Sequence, residues 1–483
     1  MRLLVAGLAG ALTAWAFTPM HWWAAIIGLA VLLQQLSGQL LRQRLKISSV
    51  FSLALFLCHI QWVSVLGVDA WIALAILCAL PWLLLALVPI DSSNGWFYLA
   101  PAAGVAVLEA VRSSVPWGGF PWGLIAYSQL DGPLVKLATL GGQGLVSGVV
   151  VLCAAALIKL VKHRCFTSLL IVAICVLAAR SVDTLHSDQT VTLSAVQGNV
   201  PRVGNEVSTQ RTAVLNNHII ATKRLLIDIE SGKTATPDLI VWPESGTDID
   251  PLQPGLAQTE ITQLADSTDI PILIGATTLS GGDSSTAVGP RNAGILWTAE
   301  SGPGQMYVKR HLVPFGEYVP LREFLSRFIK RFEQIPNDFV PGNAVGVFNI
   351  ANKQIGDVIC FEVAYANHIY ETVATGAQVM VVQTNNATYG NTAQPEQQFA
   401  ITRFRAIENQ RAFLVASTSG ISGLIANDGK VLHKTGQFET ATVTGEVELI
   451  SDQTFTNRYP RWMLIFSALV LLICYRRTRG QNS

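Results

Sequence analysis

Charged residues are scarce in this sequence. They make up 13% of its 483 residues, whereas 50% are hydrophobic. Soluble proteins carry roughly 25% charged residues, so this scarcity excludes an ordinary, wholly soluble chain and indicates that a large part of it lies in lipid. The formal net charge is +1. Because this net positive charge is so small, the composition gives no argument for a nucleic-acid partner.

Paired cysteines are also missing. None of the seven cysteines has the spacing of a disulfide framework, a zinc site or a redox motif. Six lie in or beside apolar stretches, where cysteine behaves as a small hydrophobe: Cys58, Cys78, Cys153, Cys165, Cys175 and Cys474. Only Cys360 lies in a long polar block at about residues 185–455. A lone cysteine is ordinarily a buried structural thiol. Whether Cys360 is instead reactive has to be judged from the residues around it in the sequence.

Several ligand-binding signatures are absent as well. The sequence contains no phosphate-binding loop, no dinucleotide fingerprint and no cluster of residues with metal-ligand spacing. We therefore expect neither a cofactor nor a metal ion.

Long apolar runs dominate both ends of the chain. They cover about 3–17, 21–37, 49–67, 70–90, 97–113, 143–161, 166–180 and 461–475. Several fall short of the ~20 residues of an ideal membrane-spanning helix, but they are almost uncharged and separated by short loops. We expect a polytopic α-helical bundle of about eight spans. No small-residue cleavage site follows the first run, which is therefore expected to be a span and not a signal peptide.

The basic residues predict the orientation of these spans. Ten of them fall on one side of an eight-span model: Arg2, Arg42, Arg44, Lys46, Lys159, Lys162, Arg164, Arg476, Arg477 and Arg479. Loops rich in lysine and arginine stay in the cytoplasm, so both termini are expected there, in a multi-pass plasma-membrane protein. The predicted domains are residues 1–184 with about seven spans, an extracytoplasmic domain at 185–455, and a last span with a basic tail at 456–483.

The polar block has the pattern of an α/β domain. Seven short runs are rich in β-forming residues: Val191–Gln197, Leu239–Trp242, Ile272–Gly275, Gly294–Thr298, Val358–Cys360, Val379–Gln383 and Phe413–Ser417. Helical patterns at 207–230 and 396–410 lie between some of them.

Three reactive side chains follow strand-like runs within this block. Glu244 ends one run, Lys309 follows Met306-Tyr307-Val308, and Cys360 ends a third. Strand ends that deliver distant residues to one place are the usual way for an α/β enzyme to build a site. A carboxylate base, a cation for the oxyanion and a thiol nucleophile suffice for acyl transfer through a thioester.

Four further residues accompany these three in the sequence. Trp242 and Pro243 are expected to provide apolar surroundings that raise the proton affinity of Glu244. Glu317 and Glu362 are expected to orient Lys309 or balance its charge. Taken singly, each charged residue is more often solvated or structural.

Longer motifs make a resemblance specific. Trp242-Pro243-Glu244, the segment from Lys309 to Glu317 and Ile359-Cys360-Phe361-Glu362 occur in the order typical of the nitrilase superfamily. Further matching motifs are Leu312–Pro320, Gly118-Gly119-Phe120-Pro121-Trp122, Tyr127-Ser128-Gln129, Val196-Gln197-Gly198-Asn199 and Arg403–Asn409. With the flanking spans, the sequence resembles the apolipoprotein N-acyltransferase family over nearly its whole length.

The resemblance implies an α-β-β-α sandwich for the polar block, with Glu244 as base, Lys309 as oxyanion-stabilising cation and Cys360 as the acylated nucleophile. Glu317 and Glu362 would support them. The donor would be a phospholipid in the bilayer, and the acceptor the α-amino group of a lipoprotein's S-diacylglyceryl-cysteine. No cofactor, metal or nucleic acid is implied, and a monomer is expected.

The sequence departs from the family's usual pattern beside the site. Phe361 replaces a common tyrosine, and Thr388-Tyr389 replaces a common Trp-Phe pair. We expect these three residues, with Trp117 and Trp122 of an aromatic loop typical of a membrane interface, to line the path of the lipid. A simple interfacial anchor for the loop at 117–122, and a solvated turn at 388–389, are the alternatives.

Two other functions fit part of the sequence. A membrane-tethered amidase or nitrilase would use the same three residues, because water can also attack the thioester. Seven spans exceed what a tether requires, which favours lipid substrates. A non-catalytic membrane scaffold fits poorly with three reactive residues in the correct order.

Overall fold

The chain forms two compact units in the computed structural model, which describes residues 1–93, 95–200, 207–279, 289–327, 329, 330, 332 and 337–480. The first unit comprises Met1–Asp183 and Thr454–Ser483, and the second comprises Thr184–Gln453. The end of the predicted basic tail, residues 481–483, and the side chain of Arg479 lie outside the described part.

The first unit is helical. In its N-terminal segment, residues 1–93 and 95–183 form seven α-helices: α1 Arg2–Trp15, α2 Trp23–Leu36, α3 Leu41–His59, α4 Val68–Ala79, α5 Leu99–Arg112, α6 Ala138–His163 and α7 Thr167–Arg180. A 3₁₀ segment, Leu80–Leu87, continues α4. Gly141 and Gly142 have non-helical backbone angles and kink α6 near its start.

Two helical stretches among the described residues are long and apolar enough to cross a membrane, Val68–Leu87 and Val135–His163. Three other apolar helices are shorter: α1, α2 and α7. Each of these has 14 residues and rises about 21 Å if straight, against the ~30 Å of a bilayer's hydrocarbon core. By length and composition the structure supports two spans, and the bundle of about eight stays a prediction.

The aromatic loop after α5 is held by buried charges of the same unit. Arg112 donates hydrogen bonds to the carbonyls of Phe120 (2.8 Å) and Trp122 (2.7 Å). Glu109 accepts one from the Ile125 amide at 2.7 Å. Because both charged side chains are buried, their hydrogen bonds fix the conformation of this loop.

The described residues of the second unit form twelve strands: β1 Thr190–Gln197, β2 Leu239–Val241, β3 Ile272–Thr278, β4 Arg291–Thr298, β5 Gly302–Val308, β6 Gly346–Ile350, β7 Lys353–Ile359, β8 Val379–Thr384, β9 Phe413–Ser417, β10 Gly423–Ile425, β11 Val431–Lys434 and β12 Ala441–Glu448. They form two six-stranded sheets, with the orders β12-β1-β2-β3-β4-β5 and β11-β10-β9-β8-β7-β6. One core cluster takes apolar residues from both sheets, such as Leu193, Val241, Ile359 and Leu414. The sheets therefore pack face to face.

Helices cover the outer faces of the two sheets. They are α8 Val207–Glu230, α9 Leu256–Asp266, α11 Ala366–Ala374 and α12 Gln394–Asn409, while the short α10 Arg322–Leu325 lies in the segment between β5 and β6. Leu215 of α8 and Ile261 of α9 join a second core cluster with Ile240 of β2 and Ile274 of β3. On the other side, α11 packs against β7 and α12 against β9. The predicted α-β-β-α arrangement is confirmed for this unit. The chain then returns to the first unit through α13 Phe455–Arg458 and α14 Trp462–Gly480.

Candidate active site

Three strands bring the predicted reactive residues together. Within the first sheet β2 and β3 are parallel, while β4 is antiparallel to both β3 and β5. The carboxyl ends of β2 and β5 therefore lie at the same edge, where Glu244 and Lys309 follow. Cys360 comes directly after β7 of the facing sheet.

Glu244 and Lys309 form a buried ion pair. Nζ of Lys309 lies 3.1 Å from Oε1 of Glu244 and 2.9 Å from Oε1 of Glu317. The lysine side chain is 1% exposed, and burial alone would lower its pKa. The two carboxylates outweigh burial and hold the pKa of Lys309 well above its usual value. The ammonium is therefore charged at the site, as an oxyanion partner requires.

Asn292 completes this group and has no sequence signal that we recognised. Its Nδ2 donates to Oε1 of Glu244 at 2.6 Å and to Oε1 of Glu317 at 3.0 Å. Its backbone carbonyl accepts from the Lys309 amide at 2.8 Å. One residue on β4 thus holds both carboxylates and the backbone of the lysine. Its closeness to Lys309 depends on the pairing of β4 with β5, which no local sequence pattern reports.

Cys360 lies where the extended backbone stops. Its φ is +55°, in the left-handed region that residues with a Cβ seldom adopt. The thiol is within hydrogen-bonding reach of Glu244 and Thr384. Burial and the negative charge of Glu244 raise the pKa of Cys360 to about 12, although Lys309 opposes them. The resting thiol is therefore protonated, and a base must remove its proton before it attacks.

Glu362 links the segment after Lys309 to the end of β7. Oε1 accepts hydrogen bonds from the backbone amides of Arg310 (2.8 Å) and His311 (2.9 Å), and Oε2 accepts one from Ile359 (2.8 Å). It therefore ties the residues after Lys309 to the residue before Cys360. Glu317 instead contacts the lysine ammonium directly.

Around Glu362 lies a second polar group. Its members are Tyr307, whose hydroxyl donates to both carboxylate oxygens at 2.9 and 2.8 Å, and the rings of His311 and His368. Burial opposes ionisation of Glu362, but His368 and the donors of His311 outweigh it and lower the pKa of Glu362 to about 2. The ligand atoms of His311, Glu362 and His368 lie within 4.8 Å of one another. Because both oxygens of Glu362 already accept hydrogen bonds from protein donors, the group is a hydrogen-bond network.

The surroundings of Glu244 differ from the apolar pocket that we expected. Trp242 turns away from the site, where its indole N–H donates to Thr222 of α8 at 2.9 Å. Oε2 of Glu244 accepts from the Asn385 amide at 3.0 Å. A Cβ on Gly275 would lie 2.8 Å from the Cα of Glu244, so this strand position must stay glycine. Hydrogen-bond donors, not aromatic rings, therefore surround the carboxylate.

The predicted lining residues of the second unit differ in exposure. Thr388 is exposed, while Phe361 and Tyr389 are half-buried. Burial raises the pKa of Tyr389, and the negative charge of Glu244 raises it further. The phenol therefore lies near the reactive group. In the first unit Trp122 is buried and Trp117 is 42% exposed.

Comparison with known proteins identifies the class of the second unit. Residues 192–453 match the carbon-nitrogen hydrolase model, and residues 9–156 match the model of the apolipoprotein N-acyltransferase N-terminal domain. A solved mutant of the Nesterenkonia AN1 amidase from the nitrilase superfamily is 17% identical, with a TM-score of 0.42, and covers 58% of this chain and 99% of its own. The family match over residues 192–453 makes the second unit a carbon–nitrogen hydrolase domain.

Two curated relatives extend the match to the whole chain. The apolipoprotein N-acyltransferase of Mycolicibacterium smegmatis is 35% identical over 97% of this chain and 83% of its own length. The enzyme of the same name from Pseudomonas paraeruginosa is 30% identical over 99% of this chain and 97% of its own. The chain belongs to the apolipoprotein N-acyltransferase family and is an acyltransferase.

Proposed function

We propose that this protein moves an acyl chain from a phospholipid to the α-amino group of the N-terminal S-diacylglyceryl-cysteine of lipoproteins, through a thioester on Cys360. The observation that carries the proposal is the arrangement of one carboxylate and one ammonium, 3.1 Å apart and buried, at a thiol that begins protonated. Membership of the family supports the choice of acyl donor and acceptor.

In the first half-reaction, Glu244 takes the thiol proton of Cys360 as sulfur attacks the ester carbonyl of the phospholipid. Lys309 stabilises the negative oxygen of the tetrahedral intermediate. When the intermediate collapses, the C–O bond breaks and the lysophospholipid oxygen receives the proton from Glu244. The acyl group is then held on sulfur.

In the second half-reaction, the lipoprotein amine attacks the thioester and passes a proton to Glu244. Breaking the C–S bond releases the amide product, and the sulfur recovers its proton from Glu244. One thiol serves both substrates in turn, so the lysophospholipid leaves before the amine enters. This order predicts ping-pong kinetics.

Mass spectrometry of the purified full-length protein after mixing with phospholipid tests the proposal. We expect an acyl adduct on the peptide that contains Cys360, which a diacylated lipopeptide then removes as an N-acyl product. The Cys165→Ala variant is the matched control, because it removes a cysteine outside the second unit. Acylation of the lipopeptide without any detectable adduct on Cys360 would reject the thioester intermediate.

An amidase that hydrolyses a small amide is the second candidate, supported by the carbon–nitrogen hydrolase match alone. It predicts release of ammonia from small amides and no consumption of phospholipid. Steady-state rates with both donors, measured on the same preparation, separate the two functions.

The substrates imply a membrane setting for the site. We propose an extracytoplasmic catalytic domain, cytoplasmic termini and a monomer in the plasma membrane. Phe361, Thr388 and Tyr389 are proposed to contact the acyl chain, and the aromatic loop with Trp117 and Trp122 is proposed to lie on the path by which lipid arrives. Parallel double-reciprocal plots, with donor and acceptor varied together, are expected for the wild type. The Tyr389→Ala variant is expected to bind the donor phospholipid less tightly, with a raised KM for it.

A further inference from the structure

The oxygens of two buried polar side chains meet between the sheets. Asp357 of β7 and Gln383 of β8 share the face that carries the apolar core between the sheets, and both are 0% exposed. Across from them, β4 has Gly294. A Cβ at Gly294 would lie 2.4 Å from Oδ2 of Asp357 and 2.7 Å from Oε1 of Gln383. Both oxygens therefore point into the same small space, which exists because residue 294 is glycine.

The orientation of the Gln383 amide is fixed by its other end. Nε2 donates to the backbone carbonyl of Trp242 at 2.6 Å. The opposite orientation would place two oxygens against each other at that distance, which is repulsive. Oε1 must therefore face the Asp357 side. In the part of the chain that the structure describes, neither Oε1 nor either oxygen of Asp357 has a hydrogen-bond partner.

Three oxygens that only accept hydrogen bonds cannot satisfy one another. Leaving them unpaired in the core is costly, whereas a single proton on the carboxyl lets one of its oxygens donate to Gln383 and removes the negative charge. Burial raises the pKa of Asp357 well above its usual value, the negative charge of Glu362 raises it further, and the nearby Val358 amide opposes them only in part.

We propose that Asp357 is a neutral carboxylic acid whose O–H donates to Oε1 of Gln383. This hydrogen bond holds the Gln383 side-chain amide, which in turn fixes the backbone carbonyl of Trp242, two residues before Glu244. This inference rests on the proposed function, because it makes Asp357 a positioning residue for the base Glu244. The chain of hydrogen bonds runs from β7, which precedes Cys360, through β8 to the segment that follows β2 and precedes Glu244. It keeps the base and the nucleophile in register across the two sheets.

Infrared difference spectroscopy of the full-length protein tests the protonation directly. At neutral pH, wild type minus Asp357→Asn should contain a protonated carboxyl stretching band that shifts on deuterium exchange. An ionised carboxylate band in its place would mean that water or another donor reaches Asp357, and would overturn the inference. This readout does not depend on activity, so it remains decisive if the acyltransferase assignment itself fails.

Kinetics test the positioning role. The amide introduced by Asp357→Asn keeps an N–H donor of similar shape, so this variant should acylate Cys360 within about threefold of the wild type, while Asp357→Ala should lose about tenfold, as expected for one buried hydrogen bond. Gly294→Ala should resemble Asp357→Ala, because its methyl group would occupy the space of the two oxygens.

The dependence on donor concentration separates positioning from loss of structure. We expect these losses in the rate of acylation at saturating phospholipid, with the KM for donor unchanged. Equal losses in Asp357→Asn and Asp357→Ala would overturn the role of the shared hydrogen bond. If Asp357→Ala does not fold, the Asp357→Asn rate and the infrared band still decide the proposal.

Discussion

Nζ of Lys309 lies 3.1 Å from Oε1 of Glu244, and both side chains are almost completely enclosed by protein. Burial alone would lower the pKa of Lys309, but the neighbouring carboxylates hold it well above its usual value, so the cation is charged before substrate binds. The neighbouring thiol begins as the neutral acid. In the proposed mechanism, the thiol proton therefore moves to Glu244 only when sulfur attacks.

Replacing Glu244 by glutamine should make Cys360 more acidic and yet less active. The negative charge of Glu244 is one cause that raises the pKa of the thiol to about 12, so its removal lowers that pKa. The amide cannot accept the proton, so thioester formation should stop. Alkylation of Cys360 across a pH series should begin at lower pH than in the wild type, while the acyl adduct is lost. An unchanged alkylation profile would contradict the assigned charge effect.

The Lys309→Met variant should form the thioester far more slowly. Loss of one oxyanion donor costs about 10²–10³ in rate, and methionine preserves length without charge. Single-turnover acylation by phospholipid measures the effect. Lys353→Met is the matched control, because Lys353 pairs with Asp238 at a partly exposed position of the same domain. Near-normal acylation in Lys309→Met would remove Lys309 from its role.

Asn292→Leu should impair acylation without abolishing it. The variant removes the amide that donates to Glu244 and Glu317, and leaves two carboxylates with one donor fewer. A buried hydrogen bond to a charged group is worth roughly 1.5–3 kcal/mol, so a loss of about tenfold or more is expected. Asn292→Asp should be worse, since a third carboxylate would face the other two. Activity of Asn292→Asp equal to the wild type would show that the amide has no part in holding the carboxylates.

Glu362→Gln should weaken folding most at neutral pH. The folded-state pKa of Glu362 is about 2, below the ordinary 4.5, so its ionised form stabilises the fold above about pH 4.5, and this contribution disappears as the pH falls towards 2. The difference in unfolding free energy between wild type and Glu362→Gln should shrink over that interval. Glu371→Gln, at the exposed partner of Arg310, should give a small difference throughout.

Reporter fusions should place the second unit outside the cytoplasm. We expect an extracytoplasmic signal for a fusion at Glu300 and cytoplasmic signals at Arg44, Lys162 and Gly480. The distribution of basic residues carries this expectation. A cytoplasmic signal at Glu300 would reverse the orientation and separate the enzyme from its proposed acceptors.

The sequence located β1, β2, β3, β8 and β9 closely, because their apolar β-branched runs are buried and continuous. It did not indicate β6, β10, β11 or β12. The run Val358–Cys360 indicated only the end of β7, because the first residues of Lys353–Ile359 are polar. β11 is largely exposed and so lacks the apolar run of a buried strand. These strands form through pairing with a neighbour, which a local pattern does not report.

By itself, the sequence determined the scarcity of charge, the α/β character of the polar block, and the order of Glu244, Lys309 and Cys360, since each is a local property of composition or motif. Tertiary structure decided that Asn292 joins both carboxylates, that Trp242 turns away from Glu244, and that Glu362 binds backbone amides both beyond β5 and at the end of β7. Residues tens of positions apart meet there because antiparallel β4 lies beside β5 and the two sheets face each other. Hydrogen bonds depend on such distances and directions, which separation along the chain does not encode.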